Sequence, residues 1–141
     1  MSVPESKRQE NKLQVLLDAQ SLTSYTLRIC KNPKVFNPEF QHLLTEKITN
    51  TSIDIFVDLW TANNILMKPG TENFTKNRKD RKELQQKAAH NCNNMLALIQ
   101  IAKPIFHLTG KRVRFWGKNV IKVRNLIRAW EESDNKRYND V

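Results

Sequence analysis

Three groups of residues in this sequence have the types or spacing to do chemistry: a carboxylate pair, a few histidines and cysteines, and a long run of cations. Asp54 and Asp58 stand one helical turn apart, and as a general acid–base pair they would need a cleft and a tuned pKa. The simpler reading places them between two apolar stripes, or opposite a cation of a neighbouring helix. His42, His90 and His107 offer no i, i+4 pair of the kind that holds a metal on a helix. Cys30 and Cys92 have no metal or redox spacing. A phosphate loop, a nucleophile elbow and a Cys/His dyad are all missing from the sequence. It therefore predicts a non-enzymatic protein with no metal and no cofactor.

The cations are the stronger signal. Between Lys103 and Trp130 there are eight Lys/Arg and no Asp or Glu. At 100° per residue, Lys111, Arg114, Lys118 and Lys122 fall within an arc of about 80°. Val113, Trp116, Val120, Val123, Ile127 and Trp130 take the opposite side, so the segment reads as an amphipathic helix with a cationic outer face. Like charges three and four residues apart cost a helix a few tenths of a kcal/mol per pair. With no local acid to offset that repulsion, an anionic partner is expected, nucleic acid before others. The alternatives are a merely solvated face, or a face that docks an acidic protein.

A second cluster, Lys76, Arg78, Lys79, Arg81 and Lys82, surrounds the predicted start of the third helix, where cations oppose the helix dipole; the alternative to phosphate binding there is a flexible charged loop. Together with Lys111, Arg112, Arg114, Lys118 and Lys122, these residues are the expected phosphate contacts. The two clusters are expected to form one larger basic surface. Phe115 is the main aromatic available for base stacking, so binding by charge and shape is expected rather than base readout.

The elements that must position these residues are helices. The chain has 141 residues, a net charge of +10, 39% hydrophobic residues, three glycines and five prolines. That suits one helical domain better than a turn-rich β protein. Charge is uneven: residues 1–68 hold 8 basic and 7 acidic residues, whereas residues 69–141 hold 16 and 7. A disordered N-terminus is expected over 1–10, a bundle domain over 11–134 and a flexible tail over 135–141.

The first helix is expected over Asn11–Lys31, burying Leu13, Leu16, Leu17, Leu27 and Cys30, and ending at Asn32-Pro33. The second starts with Asn37 as N-cap and Pro38 at the first helical position. One of its stripes is Phe40, Leu44, Ile48, Thr51, Ile55, Leu59 and Leu66. A second stripe contains Ile53, Phe56, Val57, Trp60 and Met67. Two apolar faces on one helix imply either a very central position or burial of the second face against another subunit; the expectation is the latter, with Ile53, Phe56, Val57 and Trp60 in an oligomer interface.

Lys68-Pro69-Gly70-Thr71 closes that helix. The third runs from about Asn77 to Leu108, with the stripe Leu84, Ala88, Cys92, Met95, Ile99, Ala102 and Phe106, and Pro104 loosening its last turns. Thr109-Gly110 ends it, and the fourth helix spans Lys111–Asp134. Short connections make an all-α, antiparallel up-down-up-down four-helix bundle the expected fold. The N-terminus has no apolar run behind its basic residues, and no apolar stretch is long enough for a membrane span. A cytoplasmic protein is the expectation.

Several stretches resemble a known group. Phe40 to Asn64, with Asn50-Thr51-Ser52 in mid-helix and Ala62-Asn63-Asn64 near its end, is similar to the second helix of one small four-helix-bundle family. That family includes the accessory variability determinant (Avd) of diversity-generating retroelements and the proteins of rRNA intervening sequences. Leu84 to Leu108, with Ile101-Ala102-Lys103, resembles its third helix, and the Val-x-x-Leu-Ile-x-x-Trp pattern of Val123–Trp130 resembles the end of its fourth. The likeness spans about residues 12–133. It departs at Pro104, where an acidic residue is common, and in a longer basic linker at 68–82. The resemblance implies a homopentameric ring. It also implies a non-enzymatic accessory that binds a reverse transcriptase with its RNA, and DNA as a second ligand, in mutagenic cDNA synthesis and retrohoming. The positive charge suits that branch better than the intervening-sequence branch, which would make the chain an interaction module.

Overall fold

The computed structural model describes residues 5–138, with the side chains of 5–13 and 40–42 set aside. It is all-helical: α1 spans Glu5–Lys31, a 3-10 turn Pro38–Phe40, α2 Gln41–Asn64, α3 Phe74–Ile105 and α4 Gly110–Tyr138. Among the described residues there is no strand. The four long helices share one core. Around it α1 packs on α2 and α4, and α3 packs on α2 and α4, while the diagonal pairs make no close backbone approach.

α4 buries the six apolar residues its period predicts, and adds Asp134 and Tyr138 at its end. α3 buries Ala88, Cys92, Met95, Ile99 and Ala102 as expected, with Leu84 packed at the margin and Phe106 buried just past the helix end. The steps of three and four let both helices interdigitate along a shallow crossing.

α1 departs from expectation. Its inner face is Val15, Ala19, Leu22, Thr26 and Ile29, with Cys30 beside it. Leu17 and Leu27 stay 47% and 39% exposed, Leu16 packs only partly, and Leu13 lies outside the described side chains. The physical cause is close approach: small and hydroxylated residues admit the neighbouring backbones. Thr23 Oγ1 donates to Ser52 O on α2 at 3.0 Å. The buried indole of Trp116 donates through Nε1 to Thr26 Oγ1 at 3.1 Å. That bond satisfies a group that would otherwise cost roughly 1–3 kcal/mol to bury.

Asn32 ends α1, its carbonyl accepting from Val35 N–H and Phe36 N–H and its side chain from Lys34 N–H. The turn drives Phe36 into the core, fully buried, with ring centroids 4.6 Å from Phe106 and 6.2 Å from Trp116. Asn37 does cap the next helix, Oδ1 accepting from Glu39 N–H at 3.1 Å. α2 then buries Ile48, Thr51, Ile55 and Leu59 as expected, but ends at Asn64. Leu66 therefore falls beyond the helix and is 63% exposed, and Phe40 lies outside the described side chains.

Helix ends differ from the sequence expectation for packing reasons. α3 begins at Phe74 rather than near Asn77, and α4 continues past Asp134 to Tyr138. Phe74 and Tyr138 are both buried and meet edge to face at 5.6 Å, so each stabilises the other helix's extra turn. Residues 135–138 are thus helical, while the rest of the expected tail lies outside the described residues. Glu5–Glu10 likewise belong to α1, and residues 1–4 lie outside the described part.

Gly110 does not end α3. The left-handed position is His107, at φ 52°, with Phe106 N–H donating to Ala102 O and Leu108 N–H to Lys103 O. This is a Schellman closure one turn beyond Pro104, which sits next to the helix end rather than bending its middle. Thr109 instead opens α4, its Oγ1 accepting from Arg112 N–H at 3.1 Å.

Candidate nucleic-acid interface

The outer face of α4 carries the candidate site. Lys111, Arg114 and Lys118 are exposed, and among the described residues none of them makes a salt bridge. Lys122 ion-pairs with Asp18 of α1 at 3.5 Å, yet its side chain stays 62% exposed. Arg112 sits apart: it is half-buried and lies about 160° around the helix from Arg114. The structure adds two cations that the narrow arc leaves out. Arg128 is exposed on the α3 side of the stripe. Arg124 reaches Asn93 Oδ1 with Nη1 at 2.9 Å, while its buried Nε has no hydrogen-bond partner. Their signal was in the sequence, within the acid-free window but off the 80° arc.

The second cluster changes more. Arg81 is 2% exposed. Its Nε and Nη2 donate to the two carboxylate oxygens of Asp134 at 2.8 and 3.0 Å, and Gln85 Nε2 donates to the same carboxylate at 2.9 Å. The guanidinium also lies over the Trp130 ring at 4.8 Å. Arg81 is therefore a buried structural ion pair and not a phosphate contact. Around it, Lys79 is exposed, Arg78 and Lys82 are half-buried, and Lys76 pairs with Asp80 at 3.9 Å.

Nor do the two clusters form one surface. Arg81 meets Asp134 and Phe74 meets Tyr138, so the start of α3 lies beside the end of α4. From Lys118 to Asp134 α4 rises about 24 Å. Glu131 and Glu132 intervene, Glu131 accepting from Gln86 Nε2 at 2.9 Å. The α4 stripe and the 76–82 cluster are separate patches near opposite ends of the molecule.

The apolar residues expected at an interface lie on α2, the helix diagonal to α4, whose backbone it does not closely approach among the described residues. Ile53, Val57 and Trp60 are 38%, 49% and 54% exposed. Phe56 packs partly on the core, its ring 6.0 Å from that of Trp60. The cationic and apolar faces therefore point away from each other across the bundle.

The carboxylate pair resolves into an ion pair. Asp58 lies 3.7 Å from Lys87 on α3, while Asp54 is exposed. Burial raises the Asp58 carboxyl above its ordinary range, and Lys87 partly counters this. Burial pushes the thiols of Cys30 and Cys92 up to about 12, which leaves both protonated near neutrality. Glu39 and His42 do have Glu-x-x-His spacing, but a di-metal bundle site uses two such motifs, and this one crosses the seam from 3-10 turn to α2. Among the described residues no three His, Cys, Asp or Glu are grouped to hold a metal. Among them, too, no helix is long and apolar enough to cross a membrane.

Fold and site together define an all-helical domain with one cationic and one apolar outer face. Compared with protein-family models, curated proteins and solved structures, the chain matches none.

Proposed function

We propose that this protein is a non-enzymatic, nucleic-acid-binding accessory whose α4 face holds phosphates. One observation carries the reading: Lys111, Arg114 and Lys118 are exposed on a helix face whose whole window lacks acids, without salt-bridge partners among the described residues. Lys122, Arg124 and Arg128 extend that face. Lys76, Arg78, Lys79 and Lys82 form a second, weaker contact at the far end. Six cations on phosphate predict an RNA affinity that falls roughly a thousandfold between about 50 and 200 mM salt. Anisotropy titration of a labelled RNA hairpin measures this, and a flat profile would overturn the reading. The docking of an acidic protein instead predicts purified material with no nuclease-sensitive absorbance at 260 nm.

The specific role within this reading is an RNA- and DNA-binding partner of a diversity-generating reverse transcriptase in the cytoplasm. It rests on the likeness of residues 40–64, 84–108 and 123–130 to the Avd family. The finer fold belongs with it: antiparallel helices in up-down-up-down order. Supporting this, Thr26–Trp116 and Asp18–Lys122 on α1 and α4 pair rising with falling numbers, as do Arg81–Asp134, Gln86–Glu131 and Asn93–Arg124 on α3 and α4. We further propose a homo-oligomer, five subunits in a ring, closed through Ile53, Phe56, Val57 and Trp60. Sealing α2 in this way leaves α4, across the bundle, outward in every subunit. Light scattering is expected to give a multiple of the 16.6 kDa chain. A monomer at micromolar concentration would remove this part.

A further inference from the structure

Between α1 and α4 lies a cavity of about 310 Å³, lined among others by Asp18, Tyr25, Arg28, Phe115, Asn119 and Lys122. That volume is at the small end of ligand sites, roughly 300–1,000 Å³. Phe115 is 53% exposed, on a helix face that otherwise carries cations and the exposed Ile121. It meets Tyr25 edge to face, with centroids 5.2 Å apart and rings 69° to one another. In that arrangement one ring presents only an edge, so ring faces are left uncovered by the pair itself. On the helix Phe115 lies at the α1 border of the cationic stripe, about 20–60° from Lys111, Lys118 and Lys122.

Cations stand at both ends of this cavity. Lys122 is level with Asp18, and Arg28 lies about 15 Å further along α1. Between them Asn119 and Ser21 offer donors and acceptors. Asp18 accepts from Gln14 Nε2 through one oxygen, and its other oxygen is buried without a hydrogen-bond donor, facing the Lys122 ammonium at 3.5 Å. An aromatic face, a polar floor and a flanking cation on each side match what an unpaired nucleotide presents: a flat base between two phosphates.

We propose that this cavity takes a single unpaired base, stacked on Phe115, with the adjoining phosphates on Arg28 and Lys122. The proposal rests on the nucleic-acid reading above and goes beyond it, because it adds selection of unpaired over paired strand to binding by charge.

The test compares two labelled, blunt-ended RNA duplexes of matched length, one fully paired and one with a single bulged purine, by anisotropy at fixed ionic strength. Base–aromatic stacking predicts that the protein prefers the bulged duplex by about tenfold. Phe115→Ala is expected to erase that preference while leaving the paired duplex's affinity unchanged, and Phe115→Trp to keep it. Equal affinity of the unaltered protein for both duplexes would overturn the subsite alone, as would a Phe115→Ala variant that weakens both equally. Failure to bind either duplex would overturn the nucleic-acid reading and the subsite with it. Because Phe115 is exposed, its replacement leaves the fold intact, and an unchanged circular dichroism melt checks this.

Discussion

Replacing Arg81 by alanine is expected to lower the melting temperature by about 10–15 °C while leaving RNA affinity essentially unchanged. The guanidinium is 2% exposed and bonds both oxygens of Asp134. Removing it strands a carboxylate that is 12% exposed, with Gln85 as the remaining donor among the described residues. Breaking a buried pair from one side costs roughly 3–5 kcal/mol, because the remaining charge keeps its desolvation penalty without its partner. For a chain of this size each kcal/mol moves the midpoint by about 3 °C. Asp134→Ala should cost as much by the same argument. Arg81→Met combined with Asp134→Leu should recover most of the loss, since apolar residues of similar volume need no compensation. Thermal melts followed by circular dichroism read all three. A shift below about 3 °C for Arg81→Ala would show that water, rather than Asp134, compensates the charge. The RNA arm separates this residue from its neighbours: a large loss of affinity in a still-folded Arg81→Ala protein would return it to the contact surface.

That residue also shows what a sequence reading misses. Arg81 sits among four other cations and reads as one of them. Its partner Asp134 is far along the chain, at the very residue where the sequence pattern ends the fourth helix. The same distance hides Thr26, which is buried to accept from Trp116, behind the more conspicuous leucines of α1. The stripes of α3 and α4 were legible because large apolar residues recur at steps of three and four and need no distant partner to explain them. Helix ends were not, because Phe74 and Tyr138 extend α3 and α4 only by packing on one another. For the site, the α4 stripe was legible because a single helix builds it. The relation between the two clusters was not, because it depends on which ends of α3 and α4 adjoin. Phe115 was visible as a stacking candidate, but the cavity beside it needs α1 as its second wall.

Reversing the α4 stripe with Arg114→Glu and Lys118→Glu is expected to weaken RNA binding by about a hundredfold or more. Charge-assisted contacts contribute about 1.5–3 kcal/mol each, so losing two alone accounts for that factor. The slope of log affinity against log salt should also fall by about two. Both side chains are exposed on the outer face of α4, so the melting temperature should stay within a few degrees. Removing like charges three residues from Lys111 and four from Lys122 even relieves helix repulsion slightly. The matched reversal at the other patch, Lys79→Glu with Lys82→Glu, is expected to cost less than about tenfold. There Arg81 is withdrawn into its pair with Asp134, Lys76 faces Asp80, and Glu83, Glu131 and Glu132 are close in the fold or the sequence. Equal losses from the two double variants would mean that one ligand spans the roughly 24 Å between the two altered sites, or that assembly brings patches of different subunits together. A loss from the 79/82 variant alone would move the interface to the start of α3. Because both variants change net charge by the same four units, the comparison cancels any general attraction between a basic protein and RNA. What remains is the geometry of the α4 face.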